Sequence, residues 1–336
     1  MKWSDKTVLV TGADGFLGSH LCDALVERGA NVVALVRPSS RAVSSSGWSL
    51  RNIAHLENRI TIVWGDVRNA FSVLKAMRNV NIVYHLAAQS HVALSWEYPV
   101  ETVETNILGS LNVLESARKE GVEQAIYLGS DKEYGQPKYL PLDEDHPLLI
   151  SSPYATSKIF GDMLFNMYLK DYNLPTIVPR MSNVYGPRQS EEKVIPSFIL
   201  CLLRGKKPRI NLVNKNETPA RDFVFISDVI QALLAIGEQK EKCIGEILNF
   251  GSGEATRIDD LALLIIQMMG LEIEPEYCEL TSQDIPTEKV NFDKAKRLLG
   301  WKPLVTLEEG LKQTIEWYKS NYPLNIGFSS PFKSTN

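Results

Sequence analysis

Thr7-Val8-Leu9-Val10-Thr11-Gly12-Ala13-Asp14-Gly15-Phe16-Leu17-Gly18 sets the architecture of this chain. Thr7 to Thr11 is a short β-branched run, the pattern of a buried parallel strand. Glycines come next at Gly12, Gly15 and Gly18, and a helical pattern then continues to about Gly29. Such glycines permit a tight turn and close approach of backbone to a pyrophosphate, while the helix N-terminus offers unpaired N–H groups and a positive dipole. The spacing is GxxGxxG, against a standard GxGxxG for dinucleotide binding. Taken alone, these glycines fit a dinucleotide site or a plain strand–helix turn.

The residues beyond Gly29 favour the dinucleotide. Val32 to Val36 reads as a second strand, at whose end an acidic side chain would accept the ribose hydroxyls of NAD. Val36-Arg37-Pro38-Ser39-Ser40-Arg41 offers two arginines and no acid, which suits the 2′-phosphate of NADP if these are not merely solvated loop charges. The Ser-rich residues from Ala42 to Leu50 are expected to form a mobile loop over the adenosine end. Ile60 to Trp64 is a third strand, ending in Gly65-Asp66, whose carboxylate could accept from an adenine amino group. Ile82 to Leu86 is a fourth, ending in the small residues Ala87-Ala88-Gln89-Ser90, where a cofactor can lie against the strand ends. A helix from about Pro99 to Glu120 carries Asn106, more polar than a sheet-packed face requires. Gln124 to Gly129 and Thr176 to Arg180 add two strands around a helix from about Pro153 to Tyr172. This alternation predicts an α/β fold, a Rossmann-type doubly wound parallel sheet.

The fifth strand delivers Ser130, and the next helix carries Tyr154 and Lys158. Four residues apart, these two share a helix face one turn apart. A free phenol titrates near ~10, and an adjacent cation lowers that value, so Lys158 is expected to turn Tyr154 into a base. Ser130 would hold the substrate oxygen whose proton is taken.

After Arg180 the elements shorten. Ser182 to Gln189 reads as a loop, Val194 to Arg204 and about Ser227 to Gly237 as helices, and Glu246 to Phe250 as a strand rejoining the main sheet. Arg257 to Met269 and Leu307 to Lys319 look helical. We expect a dinucleotide-binding domain over residues 1–180, a smaller interleaved C-terminal substrate-binding lobe over 181–322, and a frayed tail over 323–336.

The 336 residues carry a net charge of −4 with no basic block, which argues against a nucleic-acid partner. Cys22, Cys201, Cys243 and Cys278 stand apart without CxxC or clustered His, so neither a metal site nor disulfides are expected. The polar N-terminus and the lack of a long apolar run predict a cytoplasmic protein without a membrane span.

Thr11-Gly12-xx-Gly15-xx-Gly18, Gly65-Asp66, His85-Leu86-Ala87-Ala88, Asn106, Ser130, Tyr154-xxx-Lys158, Asn183-xx-Gly186-Pro187 and Arg221-Asp222-Phe223 together resemble the extended short-chain dehydrogenase/reductase family, the nucleotide-sugar epimerases and dehydratases. The resemblance runs from about Lys6 to Tyr318. It implies a bound nicotinamide cofactor, NAD or NADP, contacted by Gly12, Asp14, Gly15, Phe16, Leu17 and Gly18 of the turn. Arg37, Asp66, Val67, Leu86, Ala87 and Ala88 would complete that site with Tyr154 and Lys158. It implies further that Tyr154 deprotonates a sugar C4 hydroxyl held by Ser130, and that Lys158 also holds the nicotinamide ribose. Ser90, Asn183, Arg188 and Arg221 would hold the nucleotide-diphosphate sugar, and the protein would be a homodimer.

The choice of reaction depends on Asp131 and Lys132. Oxidation at C4 acidifies the C5 proton, so a base at C5 and an acid at C6 would expel water and leave a 4-keto-6-deoxy sugar. Most sugar 4,6-dehydratases carry Glu at the position of Lys132, but CDP-glucose 4,6-dehydratases and the inverting UDP-N-acetylglucosamine 4,6-dehydratases carry Asp-Lys, with Lys proposed as the base. Burial can depress a lysine enough for this. The favoured expectation is therefore a 4,6-dehydratase with Asp131 as acid and Lys132 as base. Gly129-Ser130-xx-Glu133-Tyr134-Gly135 also resembles 4-keto-6-deoxy sugar reductases, which consume NADPH, and a 4-epimerase stays open. Thr281-Ser282-Gln283-Asp284 stands where many relatives have a nucleotide-contacting Arg, which leaves the base unassigned. The remotest alternative is a non-catalytic dinucleotide-binding regulator.

Overall fold

A computed structural model describes residues 1–38, 43–44, 47–48, 50–213, 217–279 and 285–322. The main-sheet strands are β1 (Thr7–Thr11), β2 (Asn31–Val36), β3 (Thr61–Trp64), β4 (Ile82–His85), β5 (Gln124–Tyr127), β6 (Gly129–Ser130) and β7 (Thr176–Met181). Beyond them lie β8 (Asn183–Tyr185), β9 (Ala220–Phe225), β10 (Ile247–Phe250) and β11 (Ala255–Arg257). The eight-stranded sheet runs β10-β7-β5-β4-β1-β2-β3, with β6 paired beside β7. Every pairing in it is parallel. The order reverses at β1, so the crevice for a ligand opens between the C-terminal ends of β1 and β4.

Parallel strands need both faces covered, and β1 shows how the alternation does this. Val8 and Val10 belong to one buried cluster and Leu9 to the other. Helices α1 (Phe16–Glu27) and Ile226–Glu238 supply Leu21, Leu25, Val229 and Leu233 to the first. The second takes Val73 and Met77 from α2 (Ala70–Met77), Val113 and Leu114 from Gly109–Glu120, and Phe165 from Pro153–Tyr172.

The helix expected over Pro99 to Glu120 is α4 (Pro99–Val103), a π turn over Glu104–Leu108, and α5 (Gly109–Glu120), preceded by a short α3 (Val92–Glu97). The Tyr154 helix is α6 (Pro153–Tyr172), as expected, with Pro153 in its first turn and Ser152 capping the amide of Ala155 at 3.1 Å. One reading changes. The loop expected from Ser182 contains β8, and Arg221-Asp222-Phe223 lies inside β9; β8 pairs with β9 parallel, and β9 with β11 antiparallel. Three residues of strand are too few for periodicity to reveal. The strand expected at Glu246 to Phe250 is β10, which pairs with β7 in the main sheet. No helix among the described residues is long and apolar enough to cross a membrane.

Candidate active site

The glycine turn meets the loop after β4 backbone to backbone. A Cβ on Gly12, whose φ is +68°, would lie 2.9 Å from the Ala87 nitrogen, and one on Gly18 would collide with the Gly12 carbonyl. Thr11 fastens the two loops, its hydroxyl accepting from the amides of Leu86 at 3.2 Å and Ala87 at 3.1 Å. His85 bonds Thr11 through Nδ1 at 2.8 Å and Ser110 through Nε2 at 2.9 Å, and burial lowers its pKa to about 3, so it stays neutral. Phe16 and Leu17 open α1, whose N-cap is Gly15 and whose first turn has no side-chain cap, whereas α2 and α6 are capped by Asn69 and Ser152. An uncapped N-terminus behind a glycine-rich turn fits a pyrophosphate. Val67 is buried beside Gly109, and Ala88 continues the same strand end as Leu86 and Ala87.

Pairing of Gly129 with Arg180 and Ser130 with Met181 carries Ser130 to the end of β7, two residues from Asn183. Ser130 then caps the 3-10 turn Asp131–Tyr134 in a capping box with Glu133. Tyr154 is buried, and its amide donates to Ser95 of α3 at 3.1 Å. Burial raises the phenol pKa, a hydrogen bond with Ser130 opposes the rise, and the Glu133 and Asp131 carboxylates add to it. The net shift of Tyr154 is thus upward, where a depression by Lys158 was expected, and the group that opposes the rise is Ser130. Lys158 itself is lowered to about 8 by burial, against the pull of Glu133 and Asp162. Its Nζ donates to the Leu128 carbonyl at 2.6 Å and sits 4.7 Å from the centre of the Tyr127 ring.

Lys132 departs most from expectation. Its Nζ lies 2.5 Å from Glu288 Oε2, 3.3 Å from Asp131 Oδ1 and 3.3 Å from Asn183 Oδ1. Burial opposes its charge, but Asp131 and Glu288 more than offset that, so its pKa is raised where a depressed one was expected. The same Glu288 oxygen takes Arg221 Nε at 3.2 Å and Asn183 Nδ2 at 3.3 Å. Arg221 Nη1 also donates to the carbonyls of Ala220 and Ile285. Asp131, only 3% exposed, is pushed up to about 7 by burial, with Lys132 pulling it down and the Glu288 and Asp222 carboxylates pushing it further up.

Other expected site residues are engaged elsewhere. The Asp14 carboxylate accepts from the backbone amides of Arg51, Asn52 and Ile53, which fixes the loop after the Ser-rich segment. Arg188, at φ +68°, pairs with Asp23 of α1 at 2.7 Å. Asp66 is gripped by Arg68, whose Nη2 lies at 2.8 Å. Ser90 is exposed, and its carbonyl takes Lys193 Nζ at 2.9 Å. The Arg37 side chain is 55% exposed, 3.5 Å from Glu101. Arg41, much of the Ser-rich loop, Thr281 to Asp284 and the tail over 323–336 lie outside the described residues.

With this geometry in view, a family profile described as GDP-mannose 4,6 dehydratase matches residues 9–314. The chain belongs to the extended short-chain dehydrogenase/reductase family of nucleotide-sugar dehydratases and epimerases. It is 33% identical over 325 residues to the dTDP-D-glucose 4,6-dehydratase of Homo sapiens, covering 94% of this chain and 91% of that protein. The dTDP-glucose 4,6-dehydratase DesIV of Streptomyces venezuelae, a crystal structure with NAD and TYD bound, matches with TM-score 0.85 and 27% identity over 94% of this chain and 97% of that one. UDP-glucuronic acid 4-epimerase from Bacillus cereus, in complex with UDP-glucuronic acid and NAD, gives TM-score 0.85 and 29% identity over 94% and 100%. Dehydratases and epimerases of the short-chain dehydrogenase/reductase family thus flank this chain at similar distance.

Glu288, Ser95 and Lys193 were not singled out from the sequence, yet each contacts an expected site residue: Glu288 meets Lys132, Arg221 and Asn183, Ser95 accepts from the Tyr154 amide, and Lys193 donates to the Ser90 carbonyl. Lys193 carries no local signal. Glu288 had one, an acid among mixed neighbours in Thr287-Glu288-Lys289-Val290, but its partners are more than sixty positions away.

Proposed function

We propose that the protein is a nucleotide-sugar 4,6-dehydratase that oxidises C4 transiently with a bound nicotinamide cofactor and leaves a 4-keto-6-deoxy sugar. One observation carries this reading: two titratable side chains, Asp131 and Lys132, lie 3.3 Å apart on the turn that Ser130 opens. A simple 4-epimerase has no task for either. A nicotinamide dinucleotide in the glycine cradle supplies the acceptor, and afterwards the donor, of one hydride. Ser130 orients the C4 hydroxyl and Tyr154 removes its proton as the phenolate, the form that a bound cofactor and Lys158 must favour against burial. Lys158 places a cation one helical turn from Tyr154. The neutral form of Asp131, with a pKa of about 7, protonates the C6 hydroxyl as it leaves. Lys132, as the neutral amine, takes the C5 proton acidified by the C4 ketone and returns a proton to C5 when the hydride is delivered to C6. Asn183 and Arg221 bind the diphosphate.

NADP is the cofactor we favour, because Arg37 ends β2 with a loosely paired guanidinium and no acid beside it in sequence. A homodimer fits the exposed apolar residues of two packed helices, Val100 and Val103 on α4 with Phe160, Met163 and Met167 on α6. A cytoplasmic location agrees with four cysteines, free in the structure. The two-domain division, 1–180 and 181–322, is supported by the separate β8-β9-β11 sheet, with β10 crossing back.

A second reading, the 4-epimerase, draws on the ion-paired state of Lys132, which as a cation cannot remove a proton. The deciding experiment incubates the protein with GDP-, UDP-, CDP- and dTDP-hexoses, without added cofactor, and tracks products by mass. Loss of one water, abolished by Lys132→Ala and by Tyr154→Phe, is expected. An isobaric product would favour the epimerase, and reaction only with NADPH and a 4-keto sugar would make the protein a reductase.

A further inference from the structure

Among the described residues, Glu288 is the carboxylate on which the base, the amide and the guanidinium of the site converge. Lys132 Nζ at 2.5 Å, Arg221 Nε at 3.2 Å and Asn183 Nδ2 at 3.3 Å all meet its Oε2 oxygen. Its backbone is held from both sides. The Glu288 amide donates to the Ala220 carbonyl at 3.0 Å, Leu142 donates to the Lys289 carbonyl at 2.7 Å, and Val290 donates to Asp222 Oδ2 at 3.1 Å. The carboxylate is only 2% exposed, so its protein partners and not bulk water set its charge state.

We propose that Glu288 is a positioning residue that keeps Lys132 protonated until a diphosphate engages Arg221, and then takes the proton so that Lys132 becomes a free amine. The inference rests on the dehydratase reading and on Arg221 as a diphosphate ligand. In the step itself one Lys132 Nζ–H bond breaks and one Glu288 Oε2–H bond forms, so no charge enters or leaves. The physical cause is the count of cations around one anion. Two cations and an amide support the ionised carboxylate, and its pKa is lowered despite burial. A dianion that occupies Arg221 and Asn183 withdraws two of those three supports. What remains on Glu288 is Lys132, which also lies 3.3 Å from Asp131; when Asp131 is neutral, the uncharged form of the Lys132–Glu288 pair escapes the desolvation cost of both charges. Of the other charged groups facing Lys132, ionised Asp131 favours the ammonium more strongly than Glu288 does and opposes the transfer, so the step requires Asp131 in the neutral form that its role as acid also demands; Arg221 and Lys193 disfavour the ammonium. The same oxygen would thus register the substrate and arm the base.

The test uses full-length protein with lysine carrying carbon-13 at Cε, the Lys132 resonance being assigned with Lys132→Arg. UDP, GDP, CDP and dTDP are added in turn. With the diphosphate that binds, the wild-type Lys132 signal is expected to move from the ammonium to the amine position at pH 7. In Glu288→Gln it is expected to track pH alone, unaffected by the diphosphate; Glu288→Asp should restore the coupling in part. In single turnover of the matching sugar, Glu288→Gln should lower water loss per C4 oxidation about 100-fold at pH 7, within the range of a lost proton-transfer partner. That deficit should close as pH rises. A bound diphosphate that leaves the Lys132 signal still, or a variant with the wild-type pH profile and lower stability only, overturns the proposal and leaves the dehydratase reading standing. If the coupling is present but water is never lost, it is the dehydratase reading that fails. If no diphosphate binds, Arg221 has no such role and the proposal falls with it.

Discussion

Asn106 Nδ2 donates to Ser157 Oγ across 2.8 Å, from inside the π turn Glu104–Leu108 to the helical turn that carries Tyr154. The same amide group grips the loop after β4, accepting from Gln89 N at 2.8 Å and donating to Gln89 O at 3.0 Å. Ser157 in turn donates to the Tyr154 carbonyl at 2.7 Å. Asn106 lies buried within this π turn, a kind of turn frequent at functional sites. Asn106→Ala leaves these groups without their partner, at a cost of about 1–3 kcal/mol. We expect a lower melting temperature together with about tenfold slower C4 oxidation, read from nicotinamide absorbance. Wild-type rates in a destabilised protein would show that the clamp serves stability alone.

Tyr154→Phe removes the hydroxyl placed to take the C4 proton. Nicotinamide reduction in single turnover should fall about 10²–10⁴-fold, the usual worth of a positioned acid or base. Melting temperature should hold, because the ring and its packing remain. Retained reduction would assign the base elsewhere.

The Asp131 carboxyl rises from 3.8 to about 7 on folding. Between those values the folded chain binds the proton more tightly than the unfolded chain, so this contribution to stability is complete below about 3.8 and is lost as pH climbs to about 7. Urea unfolding across that window should show stability declining with pH in wild type and less so in Asp131→Asn. Water loss should likewise decline above about pH 7 as the acid ionises, while C4 oxidation does not. An elimination rate that rises steadily through that range would remove Asp131 from the acid role.

Arg188 pairs with Asp23 with both side chains about one-fifth exposed, at 22% and 23%. A pair so accessible is worth ~0–1 kcal/mol. Arg188→Ala should therefore change stability little and nucleotide-sugar KM by less than about threefold. Because Arg188 has φ +68°, Arg188→Gly should be the more stable of the two variants, by a few tenths to about 1 kcal/mol. A large rise in KM would show that Arg188 leaves Asp23 to bind substrate.

Arg37→Asp replaces a guanidinium by the acid that ribose hydroxyls prefer. Binding titrations should show NADP affinity falling at least tenfold and NAD affinity rising. Equal losses for both would mean that Arg37 does not read the 2′-phosphate.

Local relationships along the chain were legible without a structure. The glycine turn, the strand–helix alternation, Pro153 opening α6 and the four-residue spacing of Tyr154 and Lys158 depend on backbone periodicity and neighbours a few residues away. Those relations hold wherever the chain finally packs, so the doubly wound sheet and the placement of Ser130, Tyr154 and Lys158 on their elements came from them. The charge states did not. Lys132 is held as a cation by its neighbour Asp131 and by Glu288, which is 156 positions away in sequence and 2.5 Å away in space, and Tyr154 is raised because packing strips water from its phenol. Asp14 turned inward to Arg51–Ile53, and Arg188 turned to a helix 165 positions earlier. An ionisable group's proton affinity is the sum of its desolvation and of every charge within a few ångströms, and those neighbours are chosen by topology. Chain order and periodicity were enough to say which fold forms and which elements carry the reacting hydroxyls. Long-range packing alone set which side chains there are charged, and therefore which can act as acid or base.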